Sequence, residues 1–221
     1  MTGAALGMPP EAALDDLERD ALAELGNIGL GKASTALGRM VGELVVVSVP
    51  SVDVLPLDEV APSLEAALSG PLVGVSESLG GIFDGTALFL FPEADSLPLV
   101  RAVLPPDVPA EDAALLEEEA LAELGNVVLN SALALVANQL GGGIDTGLPV
   151  VRRGTAGAIL AACRGTGGTV GGEDLPLLHI DLRATAQTIG GRVVLVLDAG
   201  SMGRLKASLG GFIGRSRAVG V

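Results

Sequence analysis

Tryptophan and tyrosine are absent from this chain, and aromatics make up only 2% of its 221 residues. With apolar residues at 49%, the core must be built from Ala, Val, Leu and Ile. Cys163 is the single cysteine, which excludes an intrachain disulfide. It sits in the apolar run Ala158-Ile-Leu-Ala-Ala-Cys and reads as a small buried hydrophobe. His179 is the only histidine and has no second His or Cys near it in sequence, so it is a poor metal ligand. Zinc, P-loop, dinucleotide-binding and Gly-x-Ser-x-Gly signatures are all missing. Lys32 and Lys206 are the only lysines, and 27 acids against 13 Lys and Arg leave a net charge of −14. Such a surface repels nucleic acid and anionic lipid, which both need basic patches. An acid-rich, lysine-poor balance suits a high-salt cytoplasm, where screening relieves self-repulsion, so a halophilic source is expected. No uninterrupted apolar run reaches the ~18 residues of a membrane span, and Met1–Pro10 lacks the pattern of a signal peptide. The expectation is a cytoplasmic protein with no membrane or nucleic-acid partner.

What the chain does contain is punctuated helix and strand. Residues 1–10 read as a disordered lead that ends at Pro9-Pro10. Residues 11–40 read as a helix, with acids in the first turns and Lys32 and Arg39 toward the C-terminal end. Its core face includes Ala21, Leu22, Leu25, Ile28, Leu30 and Leu37. Its opposite strip carries Asp20, Glu24, Asn27, Gly31, Ser34, Thr35 and Gly38. Each helical glycine costs about 1 kcal/mol relative to Ala, so the glycines need a reason. Gly26 and Gly29 on the core side permit close approach of another element. Gly31 and Gly38 leave a shallow trough beside Asn27. Then follow a strand at 44–49, a short helix within 57–68, a hairpin at 71–91 turning about Gly80-Gly81, and a helix at 93–104. Residues 105–109 read as a linker.

The second half repeats this order: a long helix at 111–140, a short strand within 145–151, a short helix at 157–164, a hairpin at 175–198 and a closing helix at 201–209. Residues 165–172 read as a flexible loop and 211–221 as a flexible tail. The spacing of the repeat is constant where the polar strip lies. Asp20, Glu24 and Asn27 return as Glu119, Glu123 and Asn126, each 99 residues on (119 − 20, 123 − 24, 126 − 27). At ~100° per residue the three positions fall near 0°, 40° and 340°, one narrow helix face. Asn27 is followed 23 positions later by Pro50, and Asn126 is followed 23 positions later by Pro149. In the hairpins the offset becomes 106, pairing Gly85 with Gly191 and Leu99 with Leu205. The expected fold is α+β: a tandem repeat (11–104 and 111–210) with an approximate two-fold axis, whose strands merge into one mainly antiparallel sheet with the two motif helices packed on it.

The pattern Asp20-x3-Glu24-x2-Asn27-x22-Pro50, matched by Glu119-x3-Glu123-x2-Asn126-x22-Pro149, resembles the CheC/CheX/FliY family of chemotaxis phosphatases. Two copies are similar to the two-site CheC proteins rather than to single-motif CheX. The resemblance implies that the substrate is the aspartyl phosphate of the response regulator CheY. Glu24 and Glu123 would anchor the regulator, and Asn27 and Asn126 would orient the attacking water. Asp20 and Glu119 would be supporting contacts, and Pro50 and Pro149 would shape the strand entry that positions each helix. It implies no cofactor of the protein's own, since the regulator supplies its Mg²⁺. It also implies CheD as a partner. The alternative within the family is a largely non-catalytic CheD-binding adaptor. A flagellar switch component of the FliY type is a third reading, disfavoured because no FliN-like domain follows residue 210.

The two copies differ. Asp20 is replaced by the longer Glu119, Gly31 by Asn130 and Ser34 by Leu133. A bulkier, less polar trough would hinder docking, so the first site is expected to be the stronger catalyst.

Overall fold

The computed structural model describes residues 14–41, 44–104, 108–139, 141–164, 174–184 and 187–219. The lead at 1–10, the loop at 165–172 and most of the 105–109 linker lie outside them. The first half runs through helix α1 (Asp16–Val41), strands β1 (Val46–Ser48) and β2 (Val52–Pro56), helix α2 (Leu57–Ala67), hairpin β3 (Leu72–Gly81) and β4 (Gly85–Pro92), a 3₁₀ turn at Glu93–Asp95 and helix α3 (Ser96–Val103). The second half has helices α4 (Ala110–Leu115) and α5 (Glu117–Gln139), strands β5 (Ile144–Thr146) and β6 (Val150–Gly154), helix α6 (Ala156–Arg164), hairpin β7 (Asp174–Ala184) and β8 (Gln187–Leu197), and helix α7 (Ala199–Val219).

All eight strands form one antiparallel sheet in the order β1-β7-β8-β4-β3-β5, with β2 also on β7 and β6 also on β3. At its centre β4 pairs with β8, and the facing residues include Leu88 and Val194. These stand 106 apart (194 − 88), the same offset at which the two hairpins correspond in sequence. The outer strands cross over. β1 and β2 of the first half complete the edge of β7 in the second. β5 and β6 of the second half complete the edge of β3 in the first. Neither half closes a sheet alone.

Both faces of the sheet are covered, which is why β4 and β8 read as continuous apolar runs. One face carries α1, α5, α3 and α7 over Val73, Val75, Phe89, Phe91, Val193 and Leu195. The other carries α2 and α6 over Leu72, Leu88, Leu90, Leu177 and Val194. α1 and α5 cross at Gly29, where a Cβ would stand 2.5 Å from the Ser131 carbonyl oxygen. The stretch Glu117–Asn138 is long and apolar enough to cross a membrane by length and composition, and 53% of that window is buried inside the fold.

Several elements differ from the sequence expectation. α1 begins at a reciprocal cap in which Asp15 N–H donates to Glu18 Oε2 and Glu18 N–H to Asp15 Oδ1, both at 2.8 Å. The single helix expected over 111–140 is two, broken at Leu116. The break lets Glu117 start α5 with three acids in its first turn, favourable against the helix dipole. Glu117 there accepts from Ser96 Oγ at 2.7 Å and pairs with Arg153 at 2.9 Å, tying α5 to α3 and β6. Residues 211–219 are helical rather than a loose tail, because Phe212 and Ile213 continue the apolar stripe of α7 against the core. Ile28, expected inside, is 51% exposed beside Asn27.

Candidate functional site

α1 presents the first motif as its periodicity requires. Asp20 and Glu24 are exposed and Asn27 is half-buried. The Asn27 amide is held at both ends by one backbone residue. Its Nδ2 donates to the Val49 carbonyl oxygen at 2.9 Å, and the Val49 N–H donates to its Oδ1 at 2.7 Å. This is the double exchange that two facing residues make in an antiparallel ladder. The side chain of Asn27 thus acts as a strand partner for Val49 in the gap between β1 and β2. Pro50 explains the fixed spacing. A residue before proline is driven to extended backbone, which turns both polar groups of Val49 to one side. Two turns of helix on, Ser34 Oγ accepts from Val47 N–H and donates to the Leu30 carbonyl, both at 2.9 Å. The polar strip of α1 therefore caps the free edge of β1, a role that sequence reasoning missed for Ser34.

The glycines have the two roles their positions suggest. A Cβ on Gly26 would meet Val49 Cγ2 at 3.0 Å, whereas one on Gly31 would meet nothing within 4 Å. The side of Asn27 away from the sheet is open.

The second motif has the same helix face, with Glu119 and Glu123 exposed and Asn126 half-buried. Its surroundings differ. Asn126 Oδ1 accepts from Asn130 Nδ2 within α5. Leu148, at the position of Val49, is 88% exposed and makes no such latch, while Gly147 N–H bonds to the Ser78 carbonyl at 2.9 Å. Pro149 therefore repeats the spacing of Pro50 without its contact. The reason is local: Gly31 has no side chain to offer Asn27, whereas Asn130 satisfies Asn126 from one turn away. Helix α5 also sits closer to the sheet, since a Cβ on Gly125 would stand 2.4 Å from Val75 Cγ1.

One site residue was missed altogether. Glu77 of β3 points toward the helix layer between Val75 and Leu79 and is 1% exposed. Neither of its carboxylate oxygens has a hydrogen-bond partner. Burial, with a smaller push from the like charge of Glu123 on α5, raises its pKa from 4.5 to about 7. The available signal was an acid at an inward position of a strand whose other inward residues, Val73, Val75 and Leu79, are apolar.

Among the described residues no three His, Cys, Asp or Glu side chains gather as a metal site. His179 Nε2 lies 2.7 Å from Asp53 Oδ2 across β7 and β2. Cys163 is buried, and burial holds its thiol above the usual range despite opposing contributions from Ser76 and Arg152. A cavity of about 450 Å³ between α2 and α6, lined by Pro56, Leu57, Asp58, Ala61, Gly157, Leu160 and Ala161, opens on the far face of the sheet from both motifs.

Comparison with known proteins follows the motif and the fold. Residues 17–52, which take in the whole first motif from Asp20 to Pro50, match the CheC-like family. The flagellar motor switch phosphatase FliY of Bacillus subtilis is 28% identical over 155 residues, covering 68% of this chain and 40% of that protein. The CheY-P phosphatase CheC of the same organism is 27% identical over 124 residues, covering 55% of this chain and 59% of that one. The matched stretches therefore span less than two thirds of either relative. The crystal structure of Thermotoga maritima FliY shares the fold with a TM-score of 0.69 at 20% identity, covering 89% of this chain and 98% of that one.

Proposed function

We propose that this chain, whose residues 17–52 match the CheC-like family, accelerates hydrolysis of the aspartyl phosphate of a CheY-type response regulator. The names of the two Bacillus relatives, a motor switch phosphatase and a CheY-P phosphatase, support that substrate class. The observation that carries the reading is the state of Asn27. Its amide can make four hydrogen bonds, and the Val49 backbone takes one N–H and one lone pair. One N–H and one lone pair are left for a water, on a side chain that no longer rotates.

An acyl phosphate is already activated, and the regulator brings its own Mg²⁺. What remains to be supplied is an aligned water, and alignment by a pre-fixed amide lowers the entropy cost of reaching the in-line geometry. Exposed Glu24, one turn earlier on the same face, pairs with a cationic side chain of the regulator and holds the cleft over Asn27. Asp20 supports that contact, and Pro50 acts through Val49. Glu123 and Asn126 form the second pair, with Glu119 and Pro149 in the supporting places. The first site is the stronger, because its amide is pinned from the sheet side and the space at Gly31 is open. CheD is a further partner on this reading.

The test is phosphate release from phospho-CheY with Mg²⁺ at near-native salt, for wild type, Asn27→Ala, Asn126→Ala and the double variant. Wild type should accelerate release, Asn27→Ala should lose more than Asn126→Ala, and the double variant should be inactive. No acceleration by wild type, or full activity in a folded double variant, sinks the catalytic reading. Binding of CheD without turnover would favour the adaptor.

A further inference from the structure

Glu77 comes from the first repeat but lies under the second motif. Helix α5 packs on β3, and the Glu77 carboxyl is close enough to Glu123 to feel its charge. Along the edge of β3, Glu77 falls between the segment paired with β6, which ends at Ser76, and the segment paired with β5, which starts at Leu79. That gap is where the chain turns through Gly147, Leu148 and Pro149. The first motif has no such group beneath it, since the matching part of β7 offers Leu178 and Ile180 to the helix layer.

A fully buried carboxyl with two unpartnered oxygens is costly as an ion and tolerable as a neutral acid. Surrounding groups offer no compensation. The facing residue on β4 is Ala87, and the Gly147–Val150 turn carries no charge. Ser76 and Arg152 bond to each other on the opposite side of the strand. Among the described residues Glu123 is the one charge that acts on Glu77, and it repels.

We propose that Glu77 is a positioning residue for Glu123, and that docking of a cationic side chain at the second motif is coupled to release of the Glu77 proton. Neutral Glu77 leaves one negative charge at this site. An ammonium or guanidinium arriving at Glu123 stabilises a second. The Glu77 O–H then breaks, its proton passes to solvent, and the two carboxylates share the incoming positive charge. The second motif becomes a two-carboxylate socket whose grip strengthens as pH rises, while the first has Glu24 alone as its anchor. This rests on the reading of Glu123 as a docking anchor given above.

Two measurements separate the inference from that reading. Carboxyl carbon NMR on the free protein follows Glu77 directly. Its midpoint should lie near 7 and fall in Glu123→Gln. A midpoint in the ordinary carboxylate range, or one that ignores Glu123→Gln, overturns the proposal. Docking is measured with beryllofluoride-loaded CheY on Glu24→Ala, which disables the first anchor at an exposed position. With a midpoint of about 7, affinity should be about tenfold weaker at pH 6 than at pH 8. Adding Glu77→Gln should abolish that contribution, and calorimetry in two buffers of different ionisation heat should show the proton release lost with it. An unchanged pH profile in Glu24→Ala/Glu77→Gln removes the coupling and leaves the functional reading standing. No docking by wild type at any pH removes both.

Discussion

Replacing Glu77 by Gln should make the fold less sensitive to pH. In the unfolded chain this carboxyl titrates at its ordinary 4.5, and in the fold at about 7. The folded state therefore binds more protons than the unfolded state across that window, so stability falls as pH rises through it. The penalty is absent well below pH 4.5, grows between the two values and is complete above pH 7. A shift of that size is worth about 3 kcal/mol at 1.36 kcal/mol per pKa unit. Gln keeps the shape of the side chain and cannot ionise. Its own unpaired amide adds an offset that does not change with pH, so the informative quantity is the variant-minus-wild-type difference at each pH. That difference should grow by about 2–3 kcal/mol from pH 5 to pH 8. With a urea slope of roughly 2 kcal/mol/M, the midpoints should separate by about 1 M more at pH 8 than at pH 5. Salt must be constant and high, because a chain of net charge −14 has its own dependence on ionic strength. A difference that stays flat from pH 5 to pH 8 would refute the argument, since a group that costs nothing to ionise is not buried as Glu77 is here.

The other expectations concern the motif helices. Gly125→Ala forces a Cβ to within 2.4 Å of Val75 and should cost about 1–3 kcal/mol, whereas Gly31→Ala meets open space and should gain up to about 1 kcal/mol of helix stability; thermal melts showing equal effects would contradict the packing. Pro50→Ala should loosen Val49, broaden the Asn27 side-chain amide signal in NMR and lower phosphatase activity more than Pro149→Ala, because only Pro50 stands beside a latched Asn. Gly31→Asn should place a donor one turn from Asn27, as Asn130 does for Asn126, and compete with Val49 for its Oδ1; if activity at the first site is unchanged, the Val49 latch is not what positions the amide.

Local periodicity made much of the architecture legible. The long helices and the two hairpins appear in the structure, and Leu88 and Val194, 106 residues apart (194 − 88), face each other at the sheet centre. The shorter pieces were harder. β2 and β6 are each five residues long, and their strand character depends on β7 and β3 of the opposite half. The break at Leu116 is set by what Glu117 meets, Ser96 and Arg153, and those partners stand 21 and 36 residues away (117 − 96, 153 − 117). The motif prolines were visible as a spacing, but only Val49 between Asn27 and β1 shows why the spacing matters in one copy and is idle in the other.

By itself the sequence determined the two motif faces. The angle between residues three and four apart is a property of any α-helix, so Glu24 with Asn27, and Glu123 with Asn126, had to share a face wherever the helix packed. Only the tertiary structure decided what lies beneath each face. The outer strands cross between halves, so α1 meets Leu178 of the second repeat at Gly26, while α5 meets Val75 of the first at Gly125, with Glu77 two residues on. Burial and charge coupling depend on which distant segments come together, and that is why two nearly identical motifs acquire different floors.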